Sequence, residues 1–295
     1  MKFENKKLPT ISIGLPVYNG EESILNALNS LLKQTFSNFE LIISDNASTD
    51  LTGEICKSKM ITDKRIRYFR QEKNMNQLWN FNFVLKQAVG EFFMWAGADD
   101  VWHPKFLEKN IENLTLNQNI VGSISEIEFY YNKWEENDLK KFENTKVREK
   151  NKLVHSIIGE YSEKVDFVFD FNHPQCVYSV FRRNVLVEST IRKPFGSWDY
   201  AVILKVLQYG DISVIDELLM YMYRGHKTEE NRKKLFYSCR QQKISIVKSL
   251  FPFMPLTFWC LNNIGLRNFM NNFSRFVKMN FRAERIILKE FFKDD

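Results

Sequence analysis

Residues 91–100 read Glu91-Phe92-Phe93-Met94-Trp95-Ala96-Gly97-Ala98-Asp99-Asp100. The run of large apolar residues predicts a buried strand, which ends at small residues and two adjacent carboxylates. Ligands of an open α/β sheet bind beyond the carboxyl ends of its strands, and Mg²⁺ and Mn²⁺ prefer oxygen ligands. The stretch therefore predicts a metal site at Asp99 and Asp100. The alternative is that both side chains cap a helix starting near Pro104.

Three further strands are predicted upstream, and each is followed by a polar segment. Apolar runs place them at 11–17, 39–44 and 66–69, and apolar residues at helical spacing predict helices at 21–34 and 77–89. Strand, helix and strand in close succession are typical of a right-handed crossover in a parallel sheet. The carboxyl ends of these strands share one edge, where four polar residues are expected: Tyr18, Asp45, Asn74 and Asp99.

The composition is that of a soluble globular chain, with 44% hydrophobic and 26% charged residues among 295. The net charge of +6 is modest and gives no nucleic-acid-binding footprint. Four cysteines without a Cys-x-x-Cys pair argue against a disulfide framework or a zinc site. The N-terminal apolar segment is too short for a signal peptide or a membrane span. We therefore expect a cytoplasmic protein.

Four motifs carry a resemblance to a known family. They are ISIGLPVYNG (11–20), LIISDNASTD (41–50), AVGEF (88–92) and ADD (98–100). In order and spacing, residues 9 to about 115 resemble the nucleotide-sugar-binding half of family 2 glycosyltransferases with the GT-A fold. The resemblance implies an α/β fold with a central, mostly parallel sheet and a helical C-terminal extension. It divides the chain into a GT-A domain at 1–230, with an acceptor half at 116–230, and an extension at 231–295.

The resemblance implies a nucleotide site along the predicted edge. Pro16, Val17 and Tyr18 would form the wall for base and ribose, and Asp45 would accept a hydrogen bond from the base. The other nucleotide-binding positions implied are Asn19, Asn74, Asn82, Ala98, Asp99 and Arg224. The alternative for Tyr18 is an ordinary half-exposed turn aromatic.

The resemblance also implies a divalent metal, Mn²⁺ or Mg²⁺, and two departures bear on it. The family's Asp-x-Asp motif has Gly97 at its first position here, so Asp99 takes the metal and Asp100 supports it or contacts ribose or sugar. Phe81 stands where many relatives carry an arginine near the nucleotide. Arg224 and His226 match an Arg-x-His element of the family. The match implies that Arg224 binds the phosphates and that His226 binds the metal or the phosphates, although a lone histidine is often structural.

Asp199 follows Gly196 and Ser197 at the start of a predicted helix. The resemblance makes it the general base for the acceptor hydroxyl, with Trp198 beside the sugar. The alternative is an aspartate placed to favour the helix dipole.

The function implied is inverting transfer of a sugar from a nucleoside-diphosphate sugar, expected to be a UDP-sugar. The acceptor is a hydroxyl of a glycan or a lipid-linked acceptor in surface-polysaccharide biosynthesis. One alternative is a nucleotide-sugar-binding protein that has lost catalysis, suggested by Gly97. The other is a sugar nucleotidyltransferase, which usually carries a glycine-rich phosphate loop that is absent from 16–20.

The tail changes character beyond about residue 230. Segments 235–250 and 266–292 are predicted helical, and 251–261 is apolar but broken by two prolines. Basic and aromatic residues interleave in 266–292, as in helices that lie on a membrane surface, so peripheral membrane contact through 251–295 is one expectation. Such contact would place the chain at the inner face of the cell membrane. The alternative is a tail packed on the catalytic domain or on a second subunit of a homo-oligomer.

Overall fold

The computed structural model describes residues 8–131, 152–171, 174–224 and 253–291. Its strands are β1 (Ile11–Val17), β2 (Phe39–Asp45), β3 (Ile66–Arg70), β4 (Phe92–Trp95), β5 (Val101–Trp102), β6 (Ile120–Tyr130), β7 (Val180–Arg182) and β8 (Asp211–Tyr223). Its helices are α1 (Ile24–Leu32), α2 (Thr52–Thr62), α3 (Gln77–Gln87), α4 (Phe106–Leu116), α5 (Tyr161–Phe171), α6 (Arg183–Glu188), α7 (Trp198–Val206), α8 (Met254–Asn263) and α9 (Leu266–Phe291), with a 3₁₀ helix at Pro174–Tyr178.

All strands join one sheet in the spatial order β3-β2-β1-β4-β7-β6-β8-β5. The four N-terminal strands are mutually parallel, with β1 between β2 and β4. Every residue of β2 and β4 is buried, because helices cover both faces of a parallel sheet. The predicted α/β fold with a mostly parallel central sheet is confirmed, and the first strand has the predicted bounds.

The second half of the sheet mixes directions. β7 runs antiparallel to β4 and β6, whereas β8 runs parallel to β6. Before β7 the chain turns as a 3₁₀ helix at Pro174–Tyr178. The Ser179 N–H donates to the Cys176 carbonyl, and only Val180–Arg182 pairs with neighbouring strands.

The residues after the two carboxylates form an unexpected short strand. Val101 and Trp102 pair antiparallel with Tyr221 and Met220 of β8. Helix α4 begins only at Phe106, and the side chain that accepts an N–H of its first turn is Gln34, which receives the Leu107 N–H at 2.9 Å. The alternative in which Asp99 and Asp100 cap this helix is therefore wrong.

The C-terminal helices pack on the rest of the chain. Asn272 of α9 donates to Asp166 of α5 at 2.7 Å, and Arg275 holds Asp170 through two bonds at 2.7 and 2.6 Å. The rings of Phe169 and Phe276 lie 4.8 Å apart at the same interface. Packing on the catalytic domain is thus observed for one face of the tail. Segment 235–250 and the boundary at residue 230 lie outside the described residues, so the domain division stays a prediction.

Within the described part of the chain, no helix combines the length and the apolar character needed to cross a membrane.

Candidate active site

Two loops at the carboxyl edge of the sheet are joined through Asn19. In the loop after β1, Asn19 Oδ1 accepts a hydrogen bond from the Thr49 N–H at 2.8 Å, and the Asn19 N–H donates to Ser48 Oγ at 2.9 Å. Asn19 has a φ of 50°, a left-handed conformation that asparagine tolerates well. This loop leaves Tyr18 49% exposed while Val17 is buried and Pro16 half-buried. The predicted base wall therefore has one accessible aromatic face.

Asp45 lies at the end of β2 and is fully buried. Its Oδ1 accepts the Ser48 N–H at 2.7 Å, and its Oδ2 accepts from the Tyr68 hydroxyl at 2.7 Å and Arg70 Nη1 at 2.8 Å. Burial and the hydrogen bond to Asp45 raise the pKa of Tyr68. Every donor comes from this chain, so contact with a nucleotide base requires local opening. The predicted base contact stays a prediction.

An Asp45→Asn variant is expected to lower the free energy of unfolding by about 3 kcal/mol, measured by urea denaturation. Either orientation of the amide turns its NH₂ group toward a buried donor. The control is Tyr68→Phe, which removes one hydrogen bond and is expected to cost about 1 kcal/mol. An Asp45→Asn protein as stable as the native one would show that the carboxylate does not hold this loop.

The two predicted asparagines differ in their surroundings. Asn74 is exposed on the edge, and its Oδ1 accepts from Asn46 Nδ2 at 3.1 Å. Asn82 instead donates to the carbonyl of Ile191 at 2.9 Å. Asn82 therefore ties α3 to the segment that precedes α7, and its assignment to the nucleotide stays a prediction.

Asp99 and Asp100 follow β4 and the half-buried Ala98. Asp99 is exposed by surface area, yet surrounding protein atoms desolvate it enough to raise the pKa of its carboxyl. Its backbone carbonyl accepts from the Tyr130 hydroxyl. Asp100 is buried, and its Oδ1 accepts the Tyr223 N–H at 3.1 Å. Burial, followed by the neighbouring charge of Asp99, holds the pKa of Asp100 well above its usual range.

A steric restriction explains why glycine occupies position 97, the first position of the acidic triplet. A Cβ placed there would lie 2.5 Å from Asp100 Oδ2 and 3.1 Å from Asp99 Oδ1. The Asp100 carboxylate thus occupies the space that a side chain at position 97 would need. Glycine here is coupled to the conformation of Asp100, and its presence is no sign of a decayed site.

A Gly97→Ala variant is expected to lose about 1–3 kcal/mol of unfolding free energy, as overpacked sites do. In an Asp100→Ala background the same substitution should cost less, because no carboxylate then overlaps the new methyl group. Urea denaturation of the four proteins measures both costs. Equal costs in the two backgrounds would contradict the steric account.

Asp199 lies in the first turn of α7, after Ser197 in a left-handed conformation with a φ of 63°. Its Oδ1 accepts the Tyr200 N–H at 3.0 Å, as the helix-terminal alternative expects. Among the described residues its Oδ2 has no hydrogen-bond partner, and it forms no ion pair. Burial raises the pKa of the carboxyl, which makes its ionised form a stronger base. Both roles are compatible with this geometry.

Aromatic side chains pack between β4, which leads to Asp99 and Asp100, and α7, which carries Asp199. Trp198 contacts Phe81 and Trp95 edge-on, with ring centroids 5.1 and 6.1 Å apart, and Trp95 Nε1 donates to the Phe81 carbonyl at 2.9 Å. Phe81, at the position where relatives carry arginine, therefore braces α7 against β4. Burial and then the charges of Asp100, Asp99 and Asp199 raise the pKa of Tyr178. The charges of all three carboxylates therefore act on this one phenol.

Arg224 follows β8 and is exposed. Its guanidinium lies over the Phe129 ring, 4.3 Å from the centroid, and its N–H donates to the Tyr130 carbonyl. His226, the predicted partner of Arg224, lies outside the described residues. Tyr130, Tyr178 and Tyr223 were not predicted at the site, and nothing in their local sequence marks them.

The residues at Asp99 fit a hard divalent cation. Mg²⁺ is usually bound through one or two carboxylates together with substrate phosphates. Asp99 offers an exposed carboxylate without a hydrogen bond from the described residues, and Asp100 stands directly behind it. No group of three histidine, cysteine or acidic side chains converges within the described ranges, so the remaining ligands would come from substrate, water or elsewhere in the chain.

A family model and curated relatives identify the same kind of protein. The family model described as Glycosyl transferase family 2 matches residues 12–168. Glycosyltransferase GlyG of Streptococcus pneumoniae is 34% identical over 98 residues, which cover 33% of each chain. The Escherichia coli protein WfgD, a UDP-Glc:alpha-D-GlcNAc-diphosphoundecaprenol beta-1,3-glucosyltransferase, is 27% identical over 211 residues, or 70% of this chain and 73% of its own. The chain spans a third or less of the length of the first curated relatives it matches.

Solved structures share the fold. Staphylococcus aureus TarS 1–349 in complex with UDP superposes with a TM-score of 0.57 at 17% identity, covering 97% of this chain and 92% of that chain. At this level of identity the similarity establishes the fold.

Proposed function

The chain belongs to glycosyl transferase family 2, and from that premise we propose that it transfers a sugar from a UDP-sugar to a hydroxyl group with inversion at the anomeric carbon. The single observation that carries the proposal is the ring contact between Trp198 and Trp95, which holds Asp199 in the first turn of α7 beside the end of β4, the strand that leads to Asp99 and Asp100. Donor phosphates bound at Asp99 would then lie close to a carboxylate able to take a proton.

Each residue has a part in the proposed reaction. Tyr18 offers its exposed ring to the uracil, and Arg224 at the end of β8 supplies a charge for the phosphates. When bound at Asp99, Mn²⁺ or Mg²⁺ supplies positive charge that stabilises the leaving diphosphate. Asp199 takes the proton from the acceptor hydroxyl as that oxygen attacks the sugar. Direct displacement with one base inverts the anomeric centre, without the nucleophilic carboxylate of a retaining hydrolase.

Two comparisons support the choice of donor and acceptor. TarS is described in complex with UDP, and WfgD is named as acting on a diphosphoundecaprenol-linked sugar. We therefore propose a lipid-linked or glycan acceptor used on the cytoplasmic side of a membrane. The steric account of Gly97 removes the main reason to propose a binding protein without catalysis, and family membership argues against a nucleotidyltransferase.

Calorimetric titration of UDP and GDP, each with and without Mn²⁺, tests the proposed donor site. UDP is expected to bind in a manganese-dependent way and GDP more weakly. Preferential binding of GDP would overturn the choice of base. Failure of both nucleotides to bind under any condition would overturn the transferase site.

A further inference from the structure

Helix α9 has a buried face that accounts for its attachment to the chain. Phe269, Asn272, Phe276 and Asn280 are buried at intervals of three and four residues. On α5, Phe276 contacts Phe169 and Asn272 donates to Asp166, whereas Asn280 donates to Thr257 of α8. This face belongs to the fold and leaves the rest of the helix surface open.

A second apolar stripe on the same helix is exposed. Leu266 is 67% exposed, Met270 59%, Phe273 50% and Val277 37%. Intervals of four, three and four residues place these side chains in one line along a helix of 3.6 residues per turn. Single exposed apolar residues are ordinary, whereas a continuous line of four large ones is typical of an interaction surface.

Basic residues border this stripe on one side. At about 100° per residue, Arg267 and Lys278 lie at nearly the same angle around the helix, about three turns apart, beside the line from Leu266 to Val277. Both are exposed. Residues 266–281 contain no aspartate or glutamate. Arg275 is different, because it points to Asp166 and Asp170 of α5. Within residues 266–281, the exposed side therefore combines an apolar stripe with two basic residues and no acidic one.

We propose that this stripe, formed by Leu266, Met270, Phe273 and Val277, docks the protein on an anionic lipid surface. A helix with an apolar stripe and a basic border lies in the plane of the interface, its apolar side chains among acyl chains and its charges at anionic headgroups. Pairing with a second copy through the same stripe would bring basic borders together, with no acidic residue in 266–281 to neutralise them. Charge complementarity therefore favours lipid as the occupant.

The docking helix is braced to the candidate active site. Helix α8 packs on α7, and Gln208, just beyond α7, donates to the Asn263 carbonyl at the end of α8 at 3.1 Å. On α5, which holds α9, the Tyr161 hydroxyl donates to the Leu204 carbonyl of α7 at 3.2 Å. Asp199 lies in the first turn of α7, so these contacts would fix the base relative to the membrane. The inference rests on the exposed stripe and is independent of the proposed donor.

Sedimentation of the full chain with vesicles tests the proposal. The native protein is expected to bind vesicles of phosphatidylcholine and phosphatidylglycerol, and added salt should weaken that binding. The double variant Phe273→Gln/Val277→Gln is expected to lower the partition coefficient at least about tenfold. Arg267→Glu/Lys278→Glu should lower binding to the anionic vesicles and abolish its dependence on phosphatidylglycerol. The matched control is Ile61→Gln, which changes an 81% exposed apolar residue of α2 and should leave binding unchanged.

Three results would overturn the proposal. The first is that the native protein does not sediment with anionic vesicles, and the second is that the stripe variant sediments equally well. The third is a native dimer in solution that dissociates in the stripe variant, since a second copy would then cover the stripe. Because the substituted residues are exposed, the variants should keep the native thermal midpoint. UDP titration of the same variants separates failure of docking from failure of the donor site.

Discussion

Asp199→Asn is expected to lower kcat for sugar transfer about a thousandfold, because general bases typically contribute a factor of a hundred to ten thousand. The amide keeps the shape of the side chain, and its oxygen still accepts the Tyr200 N–H at the start of α7. UDP binding should therefore stay unchanged within about twofold, since the loss falls on the chemical step. Transfer kinetics at saturating donor, together with UDP titration, measure both quantities.

The pH dependence of transfer gives an independent readout of the same residue. Burial raises the pKa of Asp199, so the native enzyme should lose activity on acidification at a higher pH than an ordinary aspartate would cause. Below that pKa the base is protonated and cannot accept the hydroxyl proton. The residual activity of Asp199→Asn should lack this acidic limb.

The stability of the variant distinguishes a base from a structural carboxylate. A folded-state pKa raised above the unfolded value means that the folded protein binds more protons, so this group lowers stability as pH rises through that interval. At neutral pH the uncharged Asp199→Asn protein should be as stable as the native protein or more so. The control is Glu112→Gln, which neutralises an exposed carboxylate of α4 and should change neither kcat nor the acidic limb. A loss of kcat below tenfold in Asp199→Asn would leave Asp199 as a helix-terminal residue.

The carboxyl edge of the sheet is predictable because apolar residues predominate in its four strands and a polar segment follows each of them. β1 has the predicted bounds, and β2 and β3 each end one residue later than predicted because Asp45 and Arg70 pair with each other in the ladder. Tyr18, Asn74 and Asp99 then follow from the parallel connections alone. The local sequence is sufficient to predict this edge because neighbouring strands are joined by short crossover connections.

The surroundings of the site depend on contacts between distant parts of the chain. The Tyr223 N–H reaches Asp100 across 123 residues, because β8 returns to pair with β5 and β6. No local pattern predicts that pairing, so Tyr130, Tyr178 and Tyr223 go unrecognised. Asp45 also depends on contacts beyond its own strand. A buried carboxylate requires hydrogen-bond donors, and those observed are Ser48, Tyr68 and Arg70 of this chain.

Asp99→Asn is expected to lower kcat/KM at least about a hundredfold and to abolish the effect of Mn²⁺ on UDP binding. A metal bound near the diphosphate contributes several kcal/mol of charge stabilisation, and an amide is a much weaker ligand than a carboxylate. Asp99 is the exposed member of the pair, so its side chain is the one that a cation can reach. UDP titration with and without Mn²⁺, and kinetics across a range of Mn²⁺ concentrations, measure the loss.

Asp100→Asn provides the matched comparison, because it removes one charge at the neighbouring position and can keep the bond from the Tyr223 N–H. Burial and the charge of Asp99 already disfavour ionisation of Asp100, so neutralising it should leave a manganese-dependent UDP site with a smaller loss in kcat/KM. If Asp99→Asn retained native manganese dependence while Asp100→Asn lost it, the buried carboxylate would be the ligand and the assignment of Asp99 would be wrong. Equal and complete losses would assign the metal to both side chains, which would require Asp100 to leave the space above Gly97.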